Sequence, residues 1–435
     1  MLLAYLGEEF SGEVGKALGE EVDEEVVSRL AIEREADIEA GYVPEFAAAV
    51  RAVAPRLFLE PGLRLITDAG GLNPAAGARA IAPVLADAGS SELPLGVVRG
   101  DDLRESLEEL YACGCPFEHR ETGAPFTELQ RPILAAHAEL GAAGVRQALV
   151  EGARVVVAGV TAPSSLAVAA AVDAFGWAWD DWDKIAAAAL AGALLARRVR
   201  LTCGPDRQDP LAAVDVAPPI AELGPEGQVA LSKVPGADGQ VTREEVAPWI
   251  AKMAAHAPRL LTPDVELDLS GAEIAERAER QDVLLWGAGG RPAAASYRAT
   301  LYHHDGYRCL ATLWIGNPDN RWTGERLAEL VAERVRPSGH SLESLAATGL
   351  GSSDGNVADE PEPRLVQLRA GSRERAAIEQ FADEVAALPR SVPCDIVLLG
   401  GPRPTIEPLV RRWPTLVPRG LVQPIVDVRP VRDWL

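Results

Sequence analysis

The stretch Leu63-Arg64-Leu65-Ile66-Thr67-Asp68-Ala69-Gly70-Gly71-Leu72-Asn73-Pro74, followed by an Ala-rich run to Asp87, decides the fold class. It reads as strand, glycine turn, helix. Leu63 to Thr67 is short and mostly apolar, as a strand buried on both faces requires. Gly70 and Gly71 admit backbone angles closed to other residues. Asn73 suits an N-cap, and Pro74 then occupies the first helical position, where its missing N–H costs nothing. Such a turn aims backbone N–H groups above the strand, where a helix start favours an anion and α/β sheets bind ligands. Gly70, Gly71 and Asn73 are therefore candidate substrate-binding residues. The plainer alternative is a βα turn with no ligand.

The pattern returns further on. Arg154 to Ala158 is a β-branched strand, followed by Gly159-Val160-Thr161-Ala162-Pro163-Ser164-Ser165 and an Ala/Val-rich helix, with Ser164 or Ser165 able to cap. Two such units predict a parallel sheet with right-handed crossovers. Between them, Leu95 to Val98 reads as a strand and Asp101-Asp102 as the cap of a helix to about Tyr111. Pro132 to Leu140 and Gly144 to Glu151 read as helices. Tyr297 to His303 and Tyr307 to Ile315 alternate around His304-Asp305-Gly306, where Asp-Gly signals a hairpin. Gly351 to Glu362 is polar and reads as a linker. Strands at 365–368, 394–399 and 422–428 then surround helices at 372–388 and 406–412. The expected class is α/β: a mostly parallel sheet with flanking helices, plus an α+β middle portion containing an antiparallel hairpin. The expected domains are 1–230, 231–350 and 363–435.

The chain has 435 residues and a net charge of −22, from 64 acidic and 42 basic side chains. That balance opposes binding to a nucleic-acid backbone, which needs a positive surface. The cysteines, Cys113, Cys115, Cys203, Cys309 and Cys394, are five in number and too sparse for a disulfide framework. No secretory leader is evident, and the longest uncharged apolar run, Ile185 to Ala196, is too short to cross a bilayer. A cytoplasmic protein without membrane contact is expected. Frequent Ala, Gly, Arg and Pro suggest a bacterial source. Cys113, Cys115 and His119 lack the second pair of a zinc site, so no metal is expected. No P-loop, nucleophile elbow or dinucleotide fingerprint occurs, so no cofactor is expected.

Other side chains carry candidate chemistry. Asp68 sits where a general base or a binder of a substrate hydroxyl would lie, although a turn role accounts for it equally well. A carboxylate acting as a base near neutral pH needs burial or a like-charged neighbour. Lys233, in a Pro/Gly loop, is a cation for a carboxylate or an enolate oxygen, or else a surface lysine. Asp264 and Asp181 offer a second carboxylate. Trp177, Trp179 and Trp182 crowd around Asp180, Asp181 and Asp183 before an Ala-rich helix. They either pack its start or wall an apolar ligand slot. Ala188, Gly192 and Ala196 give that helix a flat face.

Taken together, the chain resembles the acyclic terpene utilisation (AtuA) family. The matching pieces, in order, begin with Gly41-Tyr42-Val43-Pro44, Thr67 to Pro74, Phe175-Gly176-Trp177 and Asp181-Trp182-Asp183. Lys233 with Pro235-Gly236, Gly239 with Val241-Thr242, and Leu261-Thr262-Pro263-Asp264-Val265 follow. Gly290-Arg291-Pro292 with Tyr297, Asp305-Gly306-Tyr307, and Trp413-Pro414-Thr415-Leu416-Val417-Pro418-Arg419 complete the set. The resemblance implies breakdown of terpenoid or branched acids, with a lyase or hydratase step on a branched acyl-CoA. It assigns no catalytic residues. The opening strand and glycine-rich segment of relatives would lie before Met1, and their ferredoxin-like domain after Leu435. An Arg and an Asp that relatives carry after the second strand are replaced by Gly159 to Pro163.

The expectation is an acid–base enzyme on a branched acyl thioester or related carboxylic acid. Asp68, Lys233 and Asp264 are its catalytic candidates, and Gly70, Gly71, Asn73, Trp177, Trp182 and Asp181 bind substrate. A homo-oligomer or partner enzyme subunits are left open. The alternatives are a non-catalytic partner subunit of an acyl-CoA-processing or natural-product assembly, and a tailoring enzyme.

Overall fold

The computed structural model describes residues 2–4, 24–196, 219–233, 241–256, 259–277, 279–316, 323–350 and 364–435. Arg197, Arg198, Cys203 and the linker at 351–362 lie outside them. The chain divides into two units, the first comprising Met1–Leu129, Leu134–Leu301 and Trp413–Leu435, and the second Gln130–Ile133 and Tyr302–Arg412. The C-terminal strand Ile425–Pro430 returns to the first sheet, along Pro94–Arg99.

In the first unit, helices α1 (Glu24–Ala36) and α2 (Phe46–Leu59) precede β1 (Leu65–Gly71) and α3 (Pro74–Asp87). Then come β2 (Pro94–Arg99), β3 (Ile133–Ala138), α4 (Ala142–Val150), β4 (Val155–Gly159), α5 (Pro163–Phe175) and α6 (Trp182–Leu195). The sheet runs from the C-terminal strand through β2 and β4 to β1. Both β1 and β2 pair parallel with β4, as the repeated strand–turn–helix pattern requires. Every residue of β4 is buried, which suits its run of three valines at a central position.

Gly77 of α3 brings that helix down on Val157, a Cβ there meeting Val157 Cγ1 at 3.5 Å. α5 ends at Gly176, whose φ of +64° closes the helix as a left-handed cap. α6 runs back along α5. The small face expected on α6 is used for this packing: a Cβ on Gly192 would stand 2.9 Å from Ser164 Cα and 3.1 Å from Pro163 O. An antiparallel layer packs on the same core, with Ile220–Leu223, Val229–Ser232, Asp282–Trp286 and Glu273–Arg277 paired in turn.

The second unit is an antiparallel sheet. Ser344–Leu350, Arg364–Ser372, the Tyr307–Gly316 part of the strand Ser296–Gly316, and Asp395–Leu399 lie side by side. Helices Gly324–Val335 and Arg375–Ser391 pack against it around Phe381, Leu313 and Leu368.

The α/β class with an antiparallel middle portion stands, but three local expectations change. The hairpin of the middle portion joins Glu273–Arg277 to Asp282–Trp286, whereas Ser296–Gly316 is one strand of 21 residues. Gly306 bends that strand at φ +107°, because a Cβ there would meet Ser372 O at 2.5 Å. The expected helix 132–140 contains strand β3, and the expected helix 406–412 opens the strand Ile406–Pro418. In both segments pairing with a neighbouring strand overrides weak local propensity.

Candidate functional site

The glycine turn after β1 is closed by protein. Leu72 N–H donates to Gly41 O at 2.7 Å, and Asn73 N–H to Gly70 O at 2.8 Å. Asn73 caps α3 through Ala76 N–H, while its amide donates to Ile38 O and Ala40 O at 2.9 and 3.1 Å. Gly71 lies so near α1 that a Cβ would come within 2.7 Å of Leu30. Gly71 and Asn73 thus join the turn to the segment 38–43, and Gly70 packs closely on Ala158 and Pro74.

The turn after β4 is different. Gly100, at φ +106°, follows β2 and carries the chain into Asp101, which turns inward instead of capping a helix. Its carboxylate is buried and lies 2.8 Å from His137 Nδ1, also buried, on β3. The same oxygen accepts Val160 N–H at 3.1 Å. A carboxylate at Nδ1 fixes the proton there in the neutral ring and leaves Nε2 as the acceptor. Close approach is part of the design: a Cβ on Gly159 would sit 2.3 Å from Asp101 Oδ1. Asp102 does not cap a helix either: the helical turns at Arg104–Ser106 and Leu107–Ala112 have Leu103 and Ser106 at their cap positions. Asp102 instead accepts Arg104 N–H at 2.9 Å and holds Arg34 of α1 at 2.9 Å. Burial pushes the Asp102 carboxyl up, but the nearby His137, the Arg104 N–H and the Arg34 guanidinium outweigh it and hold it below its ordinary range.

Asp264 meets the other end of this region. Thr262 fixes its backbone, Oγ1 accepting Asp264 N–H at 3.3 Å and Val265 N–H at 3.1 Å. Asp264 Oδ1 accepts Ala142 N–H at the start of α4, 2.7 Å away, in the space left by Gly141. The residue as a whole is partly exposed, yet its carboxyl is enclosed, and burial raises it against the pull of Ser165, Ala142 N–H and Arg419. Arg419 stacks 4.2 Å from the Tyr297 ring centroid and donates to Ala294 O and Pro263 O, so three of the motif segments quoted above converge here.

Among the described residues, His137 Nε2, Thr161 Oγ1, Ser165 Oγ and Asp264 Oδ2 are buried without a hydrogen-bond partner. Ser165 is near enough to influence Asp264, but no bond of good geometry joins them. The four residues sit on segments that backbone and side-chain contacts tie together. Val160 touches Asp101, Thr161 bridges to Leu140, and Ser165 opens α5. Buried polar atoms are nearly always satisfied, so these four make the turn after β4 and the segments tied to it the candidate site. Neither Ser164 nor Ser165 caps α5. Ala162 is at the cap position, and Pro163 fills the first turn.

Asp68 is half-buried near the end of β1 and shares the sheet face of Ile66. It is engaged within the fold, as is Lys233, which follows Val229–Ser232. Pro235, Gly236 and Gly239 lie outside the described residues. Trp177 is buried in the core, stacked 5.1 Å from Phe175 and donating to Pro225 O, and Trp182 packs on the same core. Asp181 accepts Ala178 N–H. These three lie beyond the far end of α5, about 20 Å from its start at 13 residues of helical rise. The structure therefore brings Asp264 to the site and leaves Trp177, Trp182 and Asp181 packing a helix junction.

Sequence reasoning missed Asp101 and His137. Their signal was faint: one histidine in Leu134-Ala135-Ala136-His137-Ala138, a run that alternates too weakly to be read as a strand. Among the described residues no group of three or more His, Cys, Asp or Glu is placed to hold a metal ion, and no helix is long and apolar enough to cross a membrane. The model of the family described as "Acyclic terpene utilisation family protein AtuA" matches residues 11–428. No curated protein matches the chain.

Proposed function

The chain belongs to the acyclic terpene utilisation family, and from that premise we propose an enzyme of lyase or hydratase type acting on a branched acyl thioester or related carboxylic acid. The observations that support this most are the buried Asp101–His137 pair, whose Nε2 has no partner among the described residues, and the enclosed Asp264 carboxyl, whose Oδ2 has none either and whose Oδ1 holds Ala142 N–H, five residues after His137 along the same chain segment. His137, its other nitrogen oriented by Asp101, takes a proton from the carbon next to the carbonyl. Asp264, whose carboxyl burial pushes up, in its protonated form hydrogen-bonds the developing enolate oxygen or protonates a departing hydroxyl. Asp68 and Lys233 are secondary candidates for orienting the acid. The branched chain is suggested by the family's description alone.

Exchange at the α-carbon tests this directly. Wild type incubated in D2O with branched acyl-CoA thioesters is expected to incorporate deuterium. His137→Gln should exchange at least ~100-fold more slowly, the usual contribution of a general base. Equal exchange rates in the two proteins would end the proposal.

A second reading, a non-catalytic partner subunit, draws on the second unit. Trp314 pairs across strands with Leu365 and Val397, which are 37% and 48% exposed, and Leu399 and Leu310 add to that apolar face. A mass measurement showing a lone monomer with turnover would count against it.

A further inference from the structure

Asp305, in the second unit, is surrounded by three arginines from separate segments. Arg131 Nε and Arg373 Nε stand 3.8 and 3.4 Å from Oδ1, and Arg411 Nε contacts Oδ2. The fold assembles them by backbone contacts. His304 N–H donates to Pro132 O at 3.0 Å, which sets Arg131 alongside. Gly306 lets Arg373 approach, since a Cβ would lie 2.8 Å from Arg373 Cα. Arg373 also reaches Glu343, with Nε 3.7 Å from Oε2 and its N–H bonded to Oε1. The guanidinium side chains are 39%, 54% and 64% exposed, whereas Asp305 is 9% exposed. Three cations thus face solvent over one enclosed carboxylate, with Glu343 to one side. His303 lies in the field of Asp305, Arg411 and Arg131, and its buried Nδ1 has no partner among the described residues.

We propose that Arg131, Arg373 and Arg411 form a binding site for a phosphate monoester. Asp305 and Glu343 together cannot neutralise three guanidinium groups, and the surplus positive charge stands out on a chain of net charge −22. Guanidinium forks match the oxygens of a dianionic phosphate better than those of a carboxylate already saturated by neighbours. An ion-pair hub serving stability alone would enclose its cations along with its carboxylate. These remain open to water.

The site lies wholly in the second unit and does not rest on the acid–base reading. Titration calorimetry on the full chain, with inorganic phosphate and with adenosine 3′,5′-bisphosphate, tests it. Binding by wild type should weaken steeply with added salt. Arg131→Gln/Arg411→Gln should bind at least tenfold more weakly, from the loss of charge-assisted hydrogen bonds. Arg131→Gln alone, which removes the longest contact, keeps the test valid if the double variant fails to fold, and it too should weaken binding. Tighter binding of the bisphosphate assigns the phosphate to a nucleotide, and equal binding assigns it to the free anion. The proposal is overturned if wild type binds neither at millimolar concentration, or if the arginine variants bind as wild type does. His137→Gln should bind like wild type, so failure of the catalytic reading leaves this result distinguishable.

Discussion

The turns after β1 and β4 leave the same sheet from neighbouring parallel strands, and they end differently. After β1, the N–H groups of Leu72 and Asn73 find backbone carbonyls, and the Asn73 side chain uses its oxygen and its nitrogen within the fold. After β4, a carboxylate occupies Val160 N–H, while the hydroxyls of Thr161 and Ser165 have no partner. The turn richer in glycine is the one sealed by packing. The turn of ordinary sequence is where unsatisfied polar atoms gather. Glycine marks where backbones approach closely, and that closeness serves protein against protein as readily as protein against ligand.

Glycine-to-alanine changes in the two turns should break the comparison apart most forcefully. In Gly70→Ala the new Cβ lies 2.4 Å from Ala158 O and 2.8 Å from Pro74 Cα, both backbone atoms that cannot step aside. We expect a loss of about 3 kcal/mol, at the upper end for an overpacked site, read from urea midpoints. Gly159→Ala meets instead the end of the Asp101 side chain. That carboxylate can swing away, so stability should fall by only about 1–2 kcal/mol. The swing removes the partner of His137, and α-carbon exchange should drop roughly 100-fold, equivalent to about 2.7 kcal/mol of barrier. If both variants lose stability alike and exchange remains, the two turns are not different in kind.

A milder change sharpens the contrast from the other side. Asn73→Ala removes the cap of α3 and both bonds to the segment 38–40. The cost should be about 1–2 kcal/mol, seen as an earlier melt, with exchange at the wild-type rate. Loss of exchange at full stability would return the glycine turn to the list of ligand sites.

The sequence was most readable where local chemistry and tertiary position agree. Leu65 to Pro74 is strand, turn and capped helix, although the strand runs on through Gly71 where Thr67 is its expected end, and Val155 to Pro163 repeats the order without a serine cap, because β-branched runs and an N1 proline act on their own few residues. It was least readable where pairing decides. The Ala-rich segment 133–138 becomes a strand because it pairs with Ser296–Gly316, and Leu103 N–H and Ala138 N–H also find Ala136 O and Asp101 O. Asp-Gly at 305–306 normally turns a hairpin, yet here Gly306 serves as a bend under the Ser372 carbonyl. Asp264 was legible as a candidate because it stands alone in Thr262-Pro263-Asp264-Val265. Its enclosure against Ala142 and Ser165 was not, since those residues lie over 90 positions away.

Asp264 gives the smallest and most diagnostic stability effect. Its folded-state pKa is raised above the ordinary 3.8, first by burial, so the folded protein prefers the protonated carboxyl. The stability this preference contributes is complete below 3.8 and is lost as pH climbs through the raised value. Asparagine keeps an acceptor for Ala142 N–H but cannot ionise. Asp264→Asn should therefore match wild type in acid and become the more stable protein as pH rises, by about 1 kcal/mol, while exchange is lost at every pH. The paired outcome carries the argument. A residue kept for packing would not gain stability on losing its charge, whereas one whose carboxyl is held for chemistry would. Urea midpoints of the two proteins across a pH series decide it: parallel curves would mean that Asp264 is as well satisfied as Asn73, and that the turns after β1 and β4 differ only in sequence.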